Sequence, residues 1–283
     1  MIGIREALAG FESLPIRGQA VIAHGSFKSL GRVQGGPRVV VDALARSCDA
    51  LIMPTFTYDT MVTPLVGPPN NALDYAAEEH TRQRQDGVSA LDAIPFKRAM
   101  PADVEMGVLP ETLRRRPDAT RSLHPILSFA GVNAEFALQR QTMYDPLAPI
   151  GALAAKNGWI VLIGVDHTVN TSIHYAEKLA GRKQFTRWAR LRKRIVECPN
   201  FPGDSSGFNE IASYLDNDVV TVTIGEARVQ ALPLNSLIDR VKILLRTNPL
   251  ALLCQRNECM RCNEVRKAVR ALPHPDLLPK GEG

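Results

Sequence analysis

Aromatic residues make up only 6% of this 283-residue chain, and no apolar run approaches the roughly 18 residues that span a bilayer, which argues against a membrane helix. Cysteine is scarce as well. Five residues, an odd number in a chain this long, do not make a disulfide framework. Nor is there a large excess of one charge: the net value is +5 with a pI near 9.0. The surplus sits in short runs, Arg114 to Arg116, Arg182-Lys183 and Arg187 to Arg194, a balance that suits an anionic small molecule at least as well as nucleic acid. The first residues, M-I-G-I-R-E-A-L-A-G-F, read as a short amphipathic helix without a secretory signal's apolar core or cleavage site. The expectation is a reduced, cytoplasmic enzyme. Walker A, the G-x-G-x-x-G dinucleotide fingerprint and H-E-x-x-H are all missing, as are internal repeats, low-complexity tracts and any clear linker.

What is present reads as a globular α/β protein. Apolar residues are 45% and charged residues 22%, ordinary values for a chain large enough to bury a core without staples. The central stretch runs from Trp159 to Lys178. Ile160 to Val165 is a short, β-branched apolar run, the pattern of a strand buried on both faces as in a parallel sheet. A polar loop follows, Asp166 to Asn170, and then a helix from about Thr171, capped by Asn170 or Thr171. On that helix His174 and Glu177 lie three residues apart and share a face. An imidazole beside a carboxylate, just past the carboxyl end of a parallel strand, is where open α/β sheets place chemistry. The simpler alternative is a half-exposed histidine on an amphipathic helix.

Elsewhere, Ala20 to Ala23 and Ala50 to Met53 read as strands. The Gly-punctuated loop His24 to Arg38 leads into a helix at Pro37, with Val39, Val40, Ala43 and Leu44 on one face and Cys48 in its core. Residues 55–103 lack sustained periodicity and carry repeated prolines, as a functional loop, lid or disordered segment would; their Tyr58, Asp59, Asp74, Tyr75, Glu78 and Glu79 are candidates to face a substrate, with a solvated surface the default for most. A short helix is expected within Met106 to Arg116, a strand within Arg121 to Gly131, and helices over Val132 to Gln141, Pro149 to Lys156, Ser206 to Leu215 and Leu234 to Leu245. Val219 to Ile224 and Ala227 to Leu232 make a hairpin about Gly225-Glu226. Thr186 to Val196 alternates basic and apolar residues, the pattern of one edge strand with Arg187, Arg190, Arg192 and Arg194 outward. Residues 1–272 are expected to form one domain, with 273–283 a disordered tail. Cys254, Cys259 and Cys262 follow C-x₄-C-x₂-C. Together with Cys198 they are a candidate structural zinc site, although the spacing fits the usual zinc patterns loosely and free thiols are the alternative.

Five ordered blocks resemble the antibiotic N-acetyltransferase family, typified by the aminoglycoside 3-N-acetyltransferases. H-G-S-F-K-S-L-G-R-V-Q-G-G, from His24, is similar to its H-S-S-L-x-S-L-G-x-V-x-G-G signature. M-P-T-F-T (Met53 to Thr57), M-G-V-L-P-E (Met106 to Glu111) and R-S-L-H-P-I-L-S-F (Arg121 to Phe129) follow, and then Leu162 to Glu177 with N-T-S-I-H-Y-A-E. They span about 150 residues, far more specific than any one motif. Gly25 and Phe96-Lys97 depart from the family's serine and Phe-Asp pair. The resemblance implies a three-layer α/β/α sandwich distinct from the GNAT fold, with acetyl-coenzyme A as donor and the amine of an aminoglycoside or similar small molecule as acceptor. It assigns coenzyme binding to Ser26, Phe27, Lys28, Ser29, Leu30, Gly31, Val33, Gly35 and Gly36, and to Arg121, Ser122, His124, Pro125 and Ser128. His174 becomes the general base, and Glu177 or another carboxylate brought close in the fold would orient it. Tyr58, Asp59, Glu111 and Asp166 become candidate substrate contacts, and Asp74, Glu78, Glu79, Asp103 and Glu105 are further acids that could supply the local negative charge a polycationic acceptor favours. No nucleic-acid or membrane partner is expected. The alternatives are a non-catalytic protein that binds the coenzyme or nucleic acid, and a metal-dependent hydrolase using His167, His174 and Glu177.

Overall fold

The architecture follows from strands whose alternate side chains are apolar on both sides. In the computed structural model, which describes residues 1–75, 93–215 and 217–271, β1 (Ala20–Gly25) sends Val21 and Ala23 into one core and Ala20 and Ile22 into the other. Such a strand needs a layer on each face. Around it lie α1 (Ile4–Glu12), α2 (Pro37–Ser47), β2 (Ala50–Pro54), β3 (Met61–Val62), α3 (Val108–Arg114), β4 (Ala119–Arg121) and β5 (Phe129–Val132). Then come α4 (Glu135–Leu138), α5 (Ala148–Ala154), β6 (Trp159–Ile163), α6 (Thr171–Leu179), β7 (Phe185–Leu191) and β8 (Arg194–Phe201). β9 (Val220–Ile224), β10 (Ala227–Pro233), α7 (Leu234–Thr247) and α8 (Met260–Arg270) complete the described chain.

Seven strands form one mixed sheet in the order β4-β5-β2-β1-β6-β10-β9, and β3, β7 and β8 form a second, smaller one. β2, β1 and β6 run parallel at the centre, flanked by antiparallel neighbours. One face packs α1, α2 and α3 through Phe11, Leu44 and Leu109. The other packs α5, α6, α7, α8 and the smaller sheet through Leu153, Ile173, Val241 and Phe185. This is the expected three-layer sandwich. Among the described residues no helix is long and apolar enough to cross a membrane.

Local chemistry explains the boundaries. Pro37 opens α2 at a position where its missing N–H costs nothing. β6 stops at Ile163 rather than Val165 because Gly164 turns the chain at φ +58°. α4 is a single turn, since Val132 belongs to a strand and Asn133 adopts φ +52°. The expected helix over Ser206 to Leu215 is a 3₁₀ helix, Phe208–Tyr214.

The basic stretch is not one cationic edge strand. It is a hairpin, β7–β8, turned by Arg192 at φ +55°. Arg187 faces inward and is 5% exposed. Its guanidinium donates to the carbonyls of Asn71 (3.0 Å) and Thr186 (2.8 Å) and lies over the rings of Phe185 and Phe201. Burial lowers its pKa to about 10, so the charge persists near neutrality. α8 follows a Cys-rich turn and has too few apolar residues to stand out in the sequence. The irregular stretch over 55–103 contributes a 3₁₀ turn (Tyr58–Thr60) and β3; Glu78, Glu79 and the expected tail at 273–283 lie outside the described residues.

Candidate active site

The carboxyl ends of β1, β2 and β6 open into a cleft of about 460 Å³. His24, Gly25 and Ser26 come to it from β1 and the turn after it; Pro54, Phe56 and Tyr58 come from β2 and beyond; Val165 follows β6. Met106, Gly107 and Pro110 at the start of α3, and Asn170, Thr171 and His174 at the start of α6, form further walls. Residues 201–205 and Arg261 close one side.

α6 positions the histidine. The Asn170 side chain accepts from the Ser172 N–H at 3.2 Å and so caps the helix. One turn later His174 Nδ1 lies 3.1 Å from Glu177 Oε2. The other Glu177 oxygen accepts from Arg182 at 3.0 Å, and Arg182 also donates to the carbonyls of Pro249 and Ala251, both at 2.9 Å. Side chains of Glu177 and Arg182 are 3% and 5% exposed. A carboxylate only accepts, so Nδ1 carries the hydrogen and Nε2 keeps its lone pair. The ring edge also meets Phe208, with centroids 4.6 Å apart. The result is a histidine locked in rotamer and tautomer at a cleft wall. Arg182 and Phe208 escaped the sequence reading: the first sits in a basic pair that reads as solvated surface, the second in an undistinguished helix.

His24 and His124 are different. Burial alone lowers the His24 pKa to about 3 and that of His124 to about 4. His124 Nδ1 accepts from the N–H groups of Ile126 (3.2 Å) and Leu127 (2.9 Å), so the ring holds a loop. Arg121 is likewise turned to the protein. Its Nε donates to Ser128 Oγ at 3.0 Å, and its terminal nitrogens donate to the carbonyls of Thr55 (2.6 Å), Arg98 (3.1 Å) and Met100 (2.5 Å). Ser122 Oγ accepts from Phe129 N–H, and the Pro125 carbonyl accepts from Thr57 and Thr60. These four residues and Ser128 brace the segment that presents Leu127 to the cleft; none of them lines it.

On the first loop, Gly25 and Ser26 line the cleft, while Phe27 to Gly36 run away from it. The Ser26 N–H donates to the Ile163 carbonyl at 2.9 Å, tying the loop to β6. A Cβ on Gly25 would sit 2.8 Å from Ile163 Cβ and 3.1 Å from Leu109 Cδ1, which explains why no side chain occurs there. Ser29 borders a second recess with Asp166 and Arg228. Of the candidate substrate contacts, Tyr58 and Glu105 line the main cleft; burial first, and then the charge of Glu105, pushes the Tyr58 hydroxyl up to about 12. Asp59 is exposed beside it. Asp166 caps its own turn, accepting from the Thr168 N–H at 2.9 Å and from Asn209 at 2.7 Å. Glu111 is clamped by Arg114 and Arg115, and despite partial burial these partners and the Ala102 N–H hold it near 2. The acids that do reach the cleft are Glu105 and Asp204.

The cysteines divide. Cys198 lies alone in β8, and Cys48 ends α2 half-buried. Cys254, Cys259 and Cys262 come together with Asp204, where the sequence had suggested Cys198. His167 offers its Nδ1 to Asn170 at 3.3 Å and groups with no other ligand set among the described residues.

A family model for aminoglycoside 3-N-acetyltransferases matches residues 22–246. The chain is 32% identical over 170 residues to aminoglycoside N(3)-acetyltransferase VII of Streptomyces paromomycinus, covering 58% of this chain and 55% of that protein. It is 30% identical over 184 residues to aminoglycoside N(3)-acetyltransferase III of Pseudomonas aeruginosa, covering 60% and 61%. These matches therefore span little more than half the length of those relatives. The solved structure of aminoglycoside acetyltransferase AAC(3)-IVa superposes with a TM-score of 0.74 at 21% identity, covering 94% of this chain and 97% of that one. A binary complex of AAC-IIIb with CoASH gives 0.67 at 20% identity, covering 87% and 97%. At such identities the likeness is one of fold.

Proposed function

The chain belongs to the aminoglycoside 3-N-acetyltransferase family, and on that premise we propose that it acetylates an amine of an aminoglycoside or similar small molecule, with acetyl-coenzyme A as donor and His174 as general base. The observation that carries this reading is the His174–Glu177–Arg182 chain at the wall of the cleft. Acetyl-coenzyme A would supply an acyl carbon already activated as a thioester. An aminoglycoside amine is largely an ammonium near neutrality and has no lone pair to attack that carbon. His174 Nε2 takes the proton, the free amine bonds to the thioester carbon, and as the adduct collapses the carbon–sulfur bond breaks and coenzyme A leaves as the thiol, taking up the second proton that the nitrogen sheds. Glu177 accepts from Nδ1 throughout and stabilises the imidazolium; Arg182 keeps Glu177 in place.

The loop after β1 fits a coenzyme. Gly25 leaves no Cβ at the cleft floor, and Lys28 is exposed to meet a phosphate. The Ser26 N–H is already engaged by the Ile163 carbonyl and so is not a donor to the thioester oxygen. Arg121, Ser122, His124 and Ser128 act by bracing the opposite wall. Glu105 and Tyr58 are the acceptor-facing pair, Glu105 supplying the negative charge that a polyamine seeks.

The test is thiol release from acetyl-coenzyme A across a panel of aminoglycosides and simpler polyamines, with wild type and His174→Ala side by side. Wild type should release thiol with at least one amine. The variant should lose about 10²- to 10⁴-fold in kcat, the usual contribution of a general base, while its affinity for coenzyme A and its melting temperature stay close to wild type. Equal turnover in the two proteins would remove His174 from the reaction.

A further inference from the structure

We propose that Asp204, Cys254, Cys259 and Cys262 hold a structural zinc ion. One ligand atom from each lies within 4.8 Å of the other three. Tetrahedral zinc with bonds of about 2.3 Å to sulfur and about 2.0–2.2 Å to oxygen sets its ligand atoms roughly 3.5–3.8 Å apart, so the four need only close in by a fraction of a side-chain rotation. Cys254, Cys259 and Cys262 are 3%, 9% and 1% exposed. The local fold brings them together: Cys259 is the N-cap of α8, Cys262 lies in its first turn, and the loop entering the helix returns Cys254 beside them. Asp204 comes from a different segment, the cleft wall.

Ligand chemistry selects the metal. Three thiolates and one carboxylate make a closed, soft, tetrahedral set with no position left for substrate, the pattern of a structural zinc rather than a catalytic one. With a divalent ion its net charge is −2, and cations surround it. Arg256 reaches Asp204 Oδ2 at 2.8 Å, Arg261 reaches the same atom at 3.8 Å, and Arg266 donates to the Cys254 carbonyl. Asp204 is further fixed by the Ser206 N–H at 3.0 Å. Such outer contacts orient metal ligands. The ion would pin the 201–206 wall to the segment whose Pro249 and Ala251 carbonyls grip Arg182. It would also remove Asp204 from the acids offered to an acceptor.

The experiment uses the full chain purified without chelators under reducing conditions, with metal content measured by mass spectrometry. The expected result is one zinc per chain, lost on Cys254→Ser, Cys259→Ser or Cys262→Ser and weakened by Asp204→Asn, but kept by Cys198→Ser. Cobalt in place of zinc should give thiolate charge-transfer bands and the visible spectrum of a tetrahedral site. Because a serine variant can fail to fold, a mercurial titration of the unaltered protein is run in parallel; zinc should leave as three thiols react. Thiols that react without releasing metal would overturn the proposal. So would a chain that stays metal-free after incubation with zinc under reductant, or a Cys254–Cys262 double variant that keeps full stoichiometry.

Discussion

At the scale of single residues, the site depends on buried charges that satisfy one another. Arg182 and Glu177 are both withdrawn from water and bonded at 3.0 Å. Removing one member leaves the other charged and unpaired, which costs about 3–5 kcal/mol in such pairs. Arg182→Met should therefore lower the chemical unfolding free energy by that order and reduce kcat with little change in KM. A denaturant titration alongside steady-state rates checks both. Gly25→Ser, which restores the residue of the family signature, should destabilise by about 1–3 kcal/mol, because its Cβ would press on Ile163 and Leu109; a melting temperature equal to wild type would show that the floor can yield. His174 and Glu177 were legible because their spacing needs only a helix. Arg182 was not: nothing local marks which arginine of a basic run turns inward.

At the scale of elements, α6 carries His174, and its first turn depends on one cap. Asn170 both accepts from Ser172 and contacts His167. Asn170→Ala should cost about 1 kcal/mol, a typical loss for a cap, and should depress kcat more than a surface change of equal stability cost. Comparison with a matched substitution on α1 separates the two effects. Central strands and amphipathic helices were readable from apolar periodicity. The β7–β8 hairpin was not, because alternating arginines signal an exposed face while Arg187 is satisfied by carbonyls and aromatic rings supplied from elsewhere. α8 was obscured for the opposite reason. Its opening residues are committed to a side-chain cluster whose fourth member, Asp204, lies some fifty positions upstream.

At the scale of the whole molecule, acid sensitivity follows from the buried imidazoles. Unfolded histidines titrate near 6.5, whereas His24 and His124 are held down to about 3 and 4 by burial. Between those values the unfolded chain binds more protons, so stability should fall steadily as pH drops below about 6.5. Glu111, held near 2, adds to the loss below its unfolded value of about 4.5. Unfolding midpoints across pH 4–8 should show this decline. His24→Asn and His124→Asn should each flatten it even where they lower the plateau. A midpoint independent of pH over that range would contradict the assignment of both rings as neutral core.

The register of β1 against β6 has a kinetic consequence. Gly25 sits opposite Ile163, and the next amide, of Ser26, is fastened to the Ile163 carbonyl. The turn after β1 and the helix bearing His174 thus meet only once two strands well over a hundred positions apart have found their alignment, and a slip of one step would reverse every side chain. Closing so long a loop is slow. On dilution from denaturant, helical signal should return before turnover, and turnover should reappear in a single phase together with the last sheet signal, since no half-assembled cleft exists for it to precede.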